Sequence, residues 1–241
     1  MISETYNIDC VEYMKICRDN QFDLAIVDPP YGIGMSKKKT IGKRGKTFST
    51  TIYKQSAWDN AIPDKIYFDE LFRVSKNQII FGANYFTHFL PPSQGWFIYD
   101  KRQPEEFSMA HAELAFTSFD RSVRMKGVKR TDMQNCVSNN KQIAMMNVKI
   151  HQCQKPISIY EYLLHTYAKE GDKIFDSHLG SQSSRIAAFV LGFDFWGCEL
   201  DEDYFKEGNA RFENHKMKIE EIQQMGYAKT ELEKVNPILF Q

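Results

Sequence analysis

The most distinctive chemistry in the sequence lies in a stiff acidic corner that follows an apolar run. In "FDLAIVDPPYG" the run ends at Asp28, Pro29, Pro30 and Tyr31. Proline fixes φ and lacks an N–H, so the prolines present only carbonyl oxygens as polar backbone groups. Together with the Asp28 carboxylate and the flat Tyr31 ring, they suit a planar group that bears an amine, such as adenine or cytosine. Asp and Pro are also ordinary turn residues, and a simple turn is the alternative.

A second candidate site follows a later apolar run, in "KIFDSHLGSQSSRIA". A loop of small residues lets the backbone approach a ligand closely, and the start of the following helix offers free N–H groups to an anion. Glu199 ends another run about twenty residues further on, where an acid can accept hydrogen bonds from ribose hydroxyls. The notable positions in this region are Asp176, Gly180, Ser181, Ser183, Ser184 and Glu199.

The elements that must position these residues alternate between strands and helices. Short apolar runs bounded by turn residues predict strands in "FDLAIVD", 77–84, 95–101, 113–119, "DKIFD" and "FDFWGCE". Helical spacing is seen in "DCVEYMKICRD", "YFDELFRVSK", "SIYEYLLHTYAK", "SSRIAAFVLG" and the long charged stretch after Glu199. This alternation predicts an α/β fold with a mostly parallel sheet and helices on both faces. In such sheets ligands bind beyond the carboxyl ends of the strands.

Two basic stretches, 35–58 and 121–149, interrupt the alternation and are expected to be loops that leave the sheet. A single stretch of this kind would be interpreted as a solvated loop. Two of them near a candidate site favour contacts with phosphates. Their basic residues include Lys37, Lys38, Lys39, Lys43, Arg44 and Lys46 in the first stretch, and Arg121, Arg124, Lys126, Lys129 and Arg130 in the second.

The composition limits the class of protein. The chain has 241 residues, of which 42% are hydrophobic, and its formal net charge is zero, so any basic surface is local. These values are typical of a soluble globular protein with a sizeable core. No apolar run has membrane-spanning length, and the start lacks the pattern of a signal peptide. The five cysteines show no CxxC spacing, so neither a zinc site nor a disulfide framework is indicated, and we expect a cytoplasmic protein.

The motifs together resemble amino-group DNA methyltransferases that use S-adenosylmethionine. "DPPY" comes first and the cofactor loop last, which is similar to the permuted β-class of N6-adenine methyltransferases from bacteria and phages. The resemblance extends from Ile8 to Phe205. It implies one Rossmann-like methyltransferase domain over residues 1–241, with a basic loop at 35–58 and a target-recognition insertion at 121–149. It also implies methyl transfer to the N6 amine of adenine in double-stranded DNA, by base flipping and direct transfer.

The resemblance assigns roles to individual positions. Asp28 and the Pro29 carbonyl, in the corner that Pro30 completes, resemble the acceptors of the target amine, and Tyr31 resembles the residue that stacks on the flipped base. "NIDC", "HQCQKP", "DSHLGSQSS" and "GCELDEDYF" resemble the family's "GDC", "HPTQKP", "DPFxGSGTT" and "GxExDxxY". The implied cofactor residues are Asp9 and Cys10 at the adenine, Gln154, Lys155 and Pro156 at the methionine end, Glu199 at the ribose, and Asp28, Asp176, His178, Gly180, Ser181, Ser183 and Leu200.

The chain also departs from the family pattern. Ser177 and His178 replace a Pro-Phe pair, and Gln182 replaces the second glycine, where a side chain would crowd the cofactor or force a different backbone. His178 is a candidate base, although a polar residue in the Phe position is the simpler interpretation. The acid at position 28 favours adenine, because the family's cytosine-N4 members more often carry serine there.

Other functions remain open from the sequence. They are a cytosine-N4 DNA methyltransferase, an RNA methyltransferase and a catalytically weak DNA-binding module of the same fold. The recognition segment is short, so we expect either a short target sequence or a homodimer that shares the work.

Overall fold

The computed structural model describes residues 1–34, 40–41, 51–52, 59–106, 110–128, 150–151 and 153–224. The helices in these ranges are α1 Cys10–Ile16, α2 Lys65–Val74, α3 Ile157–Tyr167, α4 Ser183–Leu191 and α5 Glu202–Gln224. The strands are β1 Ser3–Tyr6, β2 Phe22–Val27, β3 Thr40–Ile41, β4 Thr51–Ile52, β5 Ser75–Phe81, β6 Trp96–Asp100, β7 Ala112–Thr117, β8 Arg124–Gly127, β9 Lys173–Asp176 and β10 Asp194–Cys198.

Eight of these strands form one sheet in the order β1-β10-β9-β2-β5-β7-β6-β8. Neighbouring strands are parallel except where β7 is involved, because β7 runs antiparallel to both β5 and β6. The predicted mostly parallel sheet is therefore confirmed. The reversal of β7 has one further effect, since its first residues lie at the edge where the parallel strands end.

Helices cover the sheet on both faces, as the alternation of elements predicted. Leu24 and Ile26 of β2 join the core cluster beneath α3 and α4. Ala25 and Val27 join the opposite cluster, beneath α1 and α2. Because both faces of β2 are covered, its sequence is a continuous apolar run rather than an alternating one.

Some elements were not predicted. β1 is short and half exposed, so it carries little periodic signal. β8 lies inside the stretch that we expected to leave the sheet, yet it pairs in parallel with β6. Its first two residues are exposed, because an edge strand is held by backbone hydrogen bonds more than by side-chain burial. β3 and β4 form a separate antiparallel ladder within the first basic stretch.

The carboxyl ends of β1, β10, β9, β2 and β5 meet at one edge of the sheet, since these five strands are adjacent and parallel. The segments after them contain both candidate sites of the sequence. Within the described ranges, no helix combines the length and the apolar character needed to cross a bilayer.

Candidate active site

The acidic corner lies at the end of β2 and is held from within the protein. The Tyr31 hydroxyl donates a 2.6 Å hydrogen bond to Asp28 Oδ1. Asp59, which is buried, accepts hydrogen bonds from the backbone N–H groups of Tyr31 and Gly32 at 2.9 and 2.8 Å through the same Oδ1. The turn is therefore clamped by a carboxylate that comes from outside the motif.

The ring of Tyr31 is fixed by its neighbours after β5. It stacks on Tyr85 with 5.1 Å between ring centroids and 16° between planes. Gly82 makes room for it, because a Cβ at Gly82 would lie 2.0 Å from Tyr31 Cε1. Gly82 also has a φ of +67°, which favours glycine. The result is an aromatic pair at the rim of the corner.

A buried lysine neutralises the corner. The Lys155 ammonium forms an ion pair with Asp28 Oδ2, lies 3.1 Å from Glu113 Oε2 and donates to the Tyr31 hydroxyl at 3.4 Å. Glu113 Oε1 is in turn 2.7 Å from Lys101 Nζ. Two carboxylates and two ammonium groups thus alternate in a row that we call the charge row: Asp28, Lys155, Glu113, Lys101.

The pKa values of the charge row follow from burial and neighbouring charges. Burial raises the pKa of Asp28, and Lys155 opposes that effect. Burial would raise the pKa of Glu113 too, but Lys155 and Lys101 hold it at about 2. Burial favours the neutral form of Lys155, yet Asp28 and Glu113 raise the pKa of its ammonium above the usual value. Lys155 therefore stays charged.

The second candidate site lies after β9 and β10. Glu199 accepts the backbone N–H of Gly180 at 2.8 Å through one oxygen and that of Asp201 at 2.9 Å through the other. The buried Asp176 accepts the His178 N–H at 3.0 Å and the Ser184 hydroxyl. Burial raises the pKa of Asp176 to about 7.

The residues after β1 border this site. The Asp9 side chain caps α1 by accepting the N–H groups of Val11 and Glu12. Cys10 Sγ lies 3.9 Å from His178 Nε2, so the "NIDC" motif near the start of the chain meets the "DSHLGSQSS" motif. Burial lowers the pKa of His178 to about 4 and raises that of Cys10 to about 12, so both side chains are neutral near pH 7.

The His178 side chain belongs to a buried polar chain. Its Nδ1 lies 2.8 Å from Ser177 Oγ, which lies 2.7 Å from the Tyr67 hydroxyl. The ring packs edge-on against Tyr67 with 5.4 Å between centroids. This arrangement favours the interpretation of His178 as a polar residue in an aromatic position.

Gln182 turns away from the ligand edge. Its φ of 58° and ψ of 29° are left-handed, so the residue adopts a backbone conformation that favours glycine. The side chain is fully buried, with Nε2 donating to Asn209 Oδ1 and Oε1 accepting from Arg185 Nη1, both at 3.0 Å. The Gln182 side chain therefore packs against Arg185 of α4 and Asn209 of α5.

Among the remaining predicted cofactor residues, Gln154 and Ser183 hold the loops together. Gln154 Oε1 accepts the Ile150 N–H at 3.0 Å, and Pro156 is the N-cap of α3. The Ser183 hydroxyl donates to the Lys155 carbonyl at 2.8 Å and lies 3.2 Å from Ser181 Oγ. Leu200 is exposed beyond Glu199.

The predicted basic residues divide into two groups. Arg121 donates to the Thr166 carbonyl at 2.7 Å, so it lies at the end of α3 opposite to Lys155. Lys126 lies over the Tyr162 ring, near the end of β8 that is closer to the site. Arg124 is exposed at the other end, at the start of that strand. Lys37, Lys38, Lys39, Lys43, Arg44, Lys46, Lys129 and Arg130 lie outside the described residues.

Sequence reasoning missed three charged residues of this site, namely Asp59, Lys101 and Glu113. Glu113 carried the clearest signal, as an acid at the start of a strand whose later residues are apolar. Asp59 follows a basic stretch and has no pattern around it. Its role emerges only from its contacts.

Comparison with known proteins points to one family. A family model described as DNA methylase matches residues 64–210. Type II methyltransferase M1.MboII of Moraxella bovis is 19% identical over 254 residues, covering 86% of this chain and 95% of its own. Type II methyltransferase M2.DpnII of Streptococcus pneumoniae is 35% identical over 63 residues, or 26% of this chain and 24% of its own.

Solved structures share the fold. The M1.HpyAVI–SAM complex has a TM-score of 0.55 at 16% identity, covering 88% of this chain and 100% of its own. TTHA0409 of Thermus thermophilus, in complex with S-adenosyl-L-methionine, has a TM-score of 0.54 at 14% identity, covering 89% of this chain and 94% of its own. The cytosine-N4-specific PvuII DNA methyltransferase has a TM-score of 0.58 at 11% identity, covering 88% and 86%.

Proposed function

This chain belongs to the DNA methylase family, and we propose that it transfers a methyl group from S-adenosylmethionine to the N6 amine of adenine in double-stranded DNA. The observation that carries the proposal is the corner after β2, where Asp28, the Tyr31 hydroxyl and a stacked pair of rings meet. The motif order, with "DPPY" before the cofactor loop, supports membership of the β-class.

The corner suits the capture of a flipped base. A base in a duplex is paired and stacked, so it must leave the helix before its amine can react. Asp28 and the Pro29 carbonyl accept the two hydrogens of the amine. Holding both hydrogens favours a pyramidal nitrogen and exposes its lone pair. Tyr31 replaces part of the stacking that the base loses.

The segments after β1, β9 and β10 suit S-adenosylmethionine. Each Glu199 oxygen accepts one backbone N–H and keeps the capacity to accept a ribose hydroxyl. Neutral His178 and Cys10 border the same space, so these two side chains add no positive charge beside a sulfonium. The cofactor supplies an already activated methyl group, and the protein contributes position and electrostatics.

DNA contacts are assigned to the two basic stretches of a single domain. The lysines and arginine between 35 and 58 follow the corner directly in the chain, and Lys126 lies on the side of β8 nearer to the site. We assign target recognition to the 121–149 insertion, and we give Arg121 a structural role at the end of α3.

One experiment tests the activity, the base and the atom together. Purified protein is incubated with labelled S-adenosylmethionine and unmethylated genomic DNA, and the nucleosides are separated. We expect the labelled product to be N6-methyl-2′-deoxyadenosine. N4-methylcytosine would favour the second candidate, which the likeness to the PvuII enzyme supports, because cytosine presents the same exocyclic amine. Absence of label in DNA would contradict both.

A substitution at the corner tests the mechanism. Asp28→Ala should abolish methyl transfer while calorimetry still detects cofactor binding, because Asp28 is proposed to hold the amine. The matched control is Asp23→Ala. Asp23 is in the same strand and pairs with Lys76 at 2.6 Å near the opposite end, so its loss should leave transfer intact. Full activity in a folded Asp28→Ala protein would refute the assignment.

A further inference from the structure

Glu113 has no role in the proposed reaction, yet it belongs to the charge row. We propose that Glu113 is a positioning residue, which receives the Lys155 ammonium when the amine of the flipped base takes over Asp28. This inference rests on the proposed function. It assigns to the free protein a state in which the ammonium of Lys155 stands in the place of the target amine.

Lys155 cannot leave the site for water. Its side chain is 4% exposed, and its Nζ lies 4.4 Å from the centroid of the Phe81 ring. A buried ammonium is stable only beside acceptors or negative charge. Among the described residues, the two carboxylates within ion-pair distance of its Nζ are Asp28 and Glu113. When Lys155 loses its ion pair with Asp28, its ammonium therefore stays paired with Glu113.

The ammonium and the target amine compete for the same acceptor. Lys155 donates to Asp28 Oδ2 and to the Tyr31 hydroxyl, and Tyr31 donates to Asp28 Oδ1. An amine that enters this corner meets a carboxylate whose oxygens already have donors. Displacing the ammonium frees Oδ2 for the base, and the cost is small only if another carboxylate is within reach.

Glu113 meets this requirement because it is held in place. Its Oε2 lies 3.1 Å from Lys155 Nζ and its Oε1 lies 2.7 Å from Lys101 Nζ. Its low pKa keeps it ionised. After the shift, Lys101, Glu113 and Lys155 still alternate in sign.

The shift also leaves Asp28 with a full negative charge at the amine. Positive charge passes from the sulfonium to the nitrogen during methyl transfer, and a carboxylate without its ammonium partner stabilises that charge more strongly. Binding of the base and preparation of the acceptor are thus one step. Without Glu113 the Lys155 ammonium would stay on Asp28, where it would oppose both the binding of the base and the preparation of the acceptor.

The test is a double-mutant cycle on active enzyme. Glu113→Gln should lower kcat/KM for DNA about tenfold, the effect of about 1.4 kcal/mol, while calorimetry gives an unchanged cofactor Kd. Against Lys155→Met, or Lys155→Gln if the methionine variant does not fold, Glu113→Gln should have no further effect. Glu70→Gln is the matched control. The Glu70 side chain is 20% exposed, close to the 19% of Glu113, and forms an ion pair with Arg73 at 2.6 Å. It lies in α2, outside the charge row.

A second readout separates base capture from general damage. Once sequencing has located the methylated sites, a duplex with an unpaired target base lowers the cost of flipping. It should restore most of the activity of Glu113→Gln and little of that of Asp28→Ala. Additive effects in the cycle, or no rescue by the unpaired base, would overturn the role of Glu113. If the wild-type protein methylates no DNA, the proposed function fails first.

Discussion

Gln182→Gly restores the residue of the family pattern and tests whether the Gln182 side chain restricts the cofactor site. The structure predicts that it does not, because the side chain points to Arg185 and Asn209 on the far side of the loop. Glycine should therefore leave the Kd for S-adenosylmethionine within about twofold of the wild-type value, a change of about 0.4 kcal/mol.

The same substitution should reduce stability. Glycine removes a left-handed strain of about 1 kcal/mol. It also removes two hydrogen bonds worth about 1 kcal/mol each and two buried methylenes worth about 0.8 kcal/mol each. The net loss is about 2.5 kcal/mol, to which the space left beside Gly208 adds.

Urea unfolding measures this loss, and calorimetry measures cofactor affinity. Gln182→Asn is the matched control, because asparagine tolerates a left-handed backbone and keeps an amide. A tenfold tighter Kd in the glycine variant would show that Gln182 does obstruct the cofactor. Unchanged stability would refute the packing argument instead.

Two further predictions concern buried carboxylates. Asp59→Ala leaves the N–H groups of Tyr31 and Gly32 without their acceptor, so kcat/KM for DNA should fall about a hundredfold, or about 2.7 kcal/mol, with an unchanged cofactor Kd. The control Asp64→Ala removes the cap of α2 and should lower stability alone. Equal activities of the Asp59→Ala and Asp64→Ala proteins would refute the role of Asp59 as a clamp. The pKa of Asp176 is raised from 3.8 to about 7 in the folded protein, so the folded state keeps a proton that the unfolded chain releases, and stability should fall as pH rises from about 4 to about 7. Asp176→Asn should flatten that part of the pH profile of the urea midpoint, and a profile with the wild-type slope would contradict the assignment.

The sheet and its main helices could be predicted because their signals are local. An apolar run such as "FDLAIV" indicates a buried strand by its composition alone. The left-handed Gly192 ends α4, as glycine commonly does at the end of a helix. β1 and β8 gave no such signal, since four exposed or half-exposed residues at each edge are held by backbone pairing. The stiff corner was recognisable because its residue types already restrict its chemistry.

The charge row could not be predicted because it depends on strand direction. Searching the last residues of parallel strands and the segments after them finds Asp28, Asp176 and Glu199, and it would find Lys101 after β6. Glu113 precedes most of its strand, and it reaches the same edge only because β7 is antiparallel.

The antiparallel strand therefore holds the Glu113 carboxylate more rigidly than a loop would. A carboxylate that receives a buried ammonium must stay rigid, because a mobile one would follow the ammonium to Asp28 and leave the competition unchanged. Glu113 is in register with Tyr99 inside the β6–β7 ladder, and Lys101 holds its far oxygen. Backbone pairing on one side and an ion pair on the other fix the acceptor in place. The reversed strand thus gives the corner at Asp28 an alternative partner for its lysine without adding net charge.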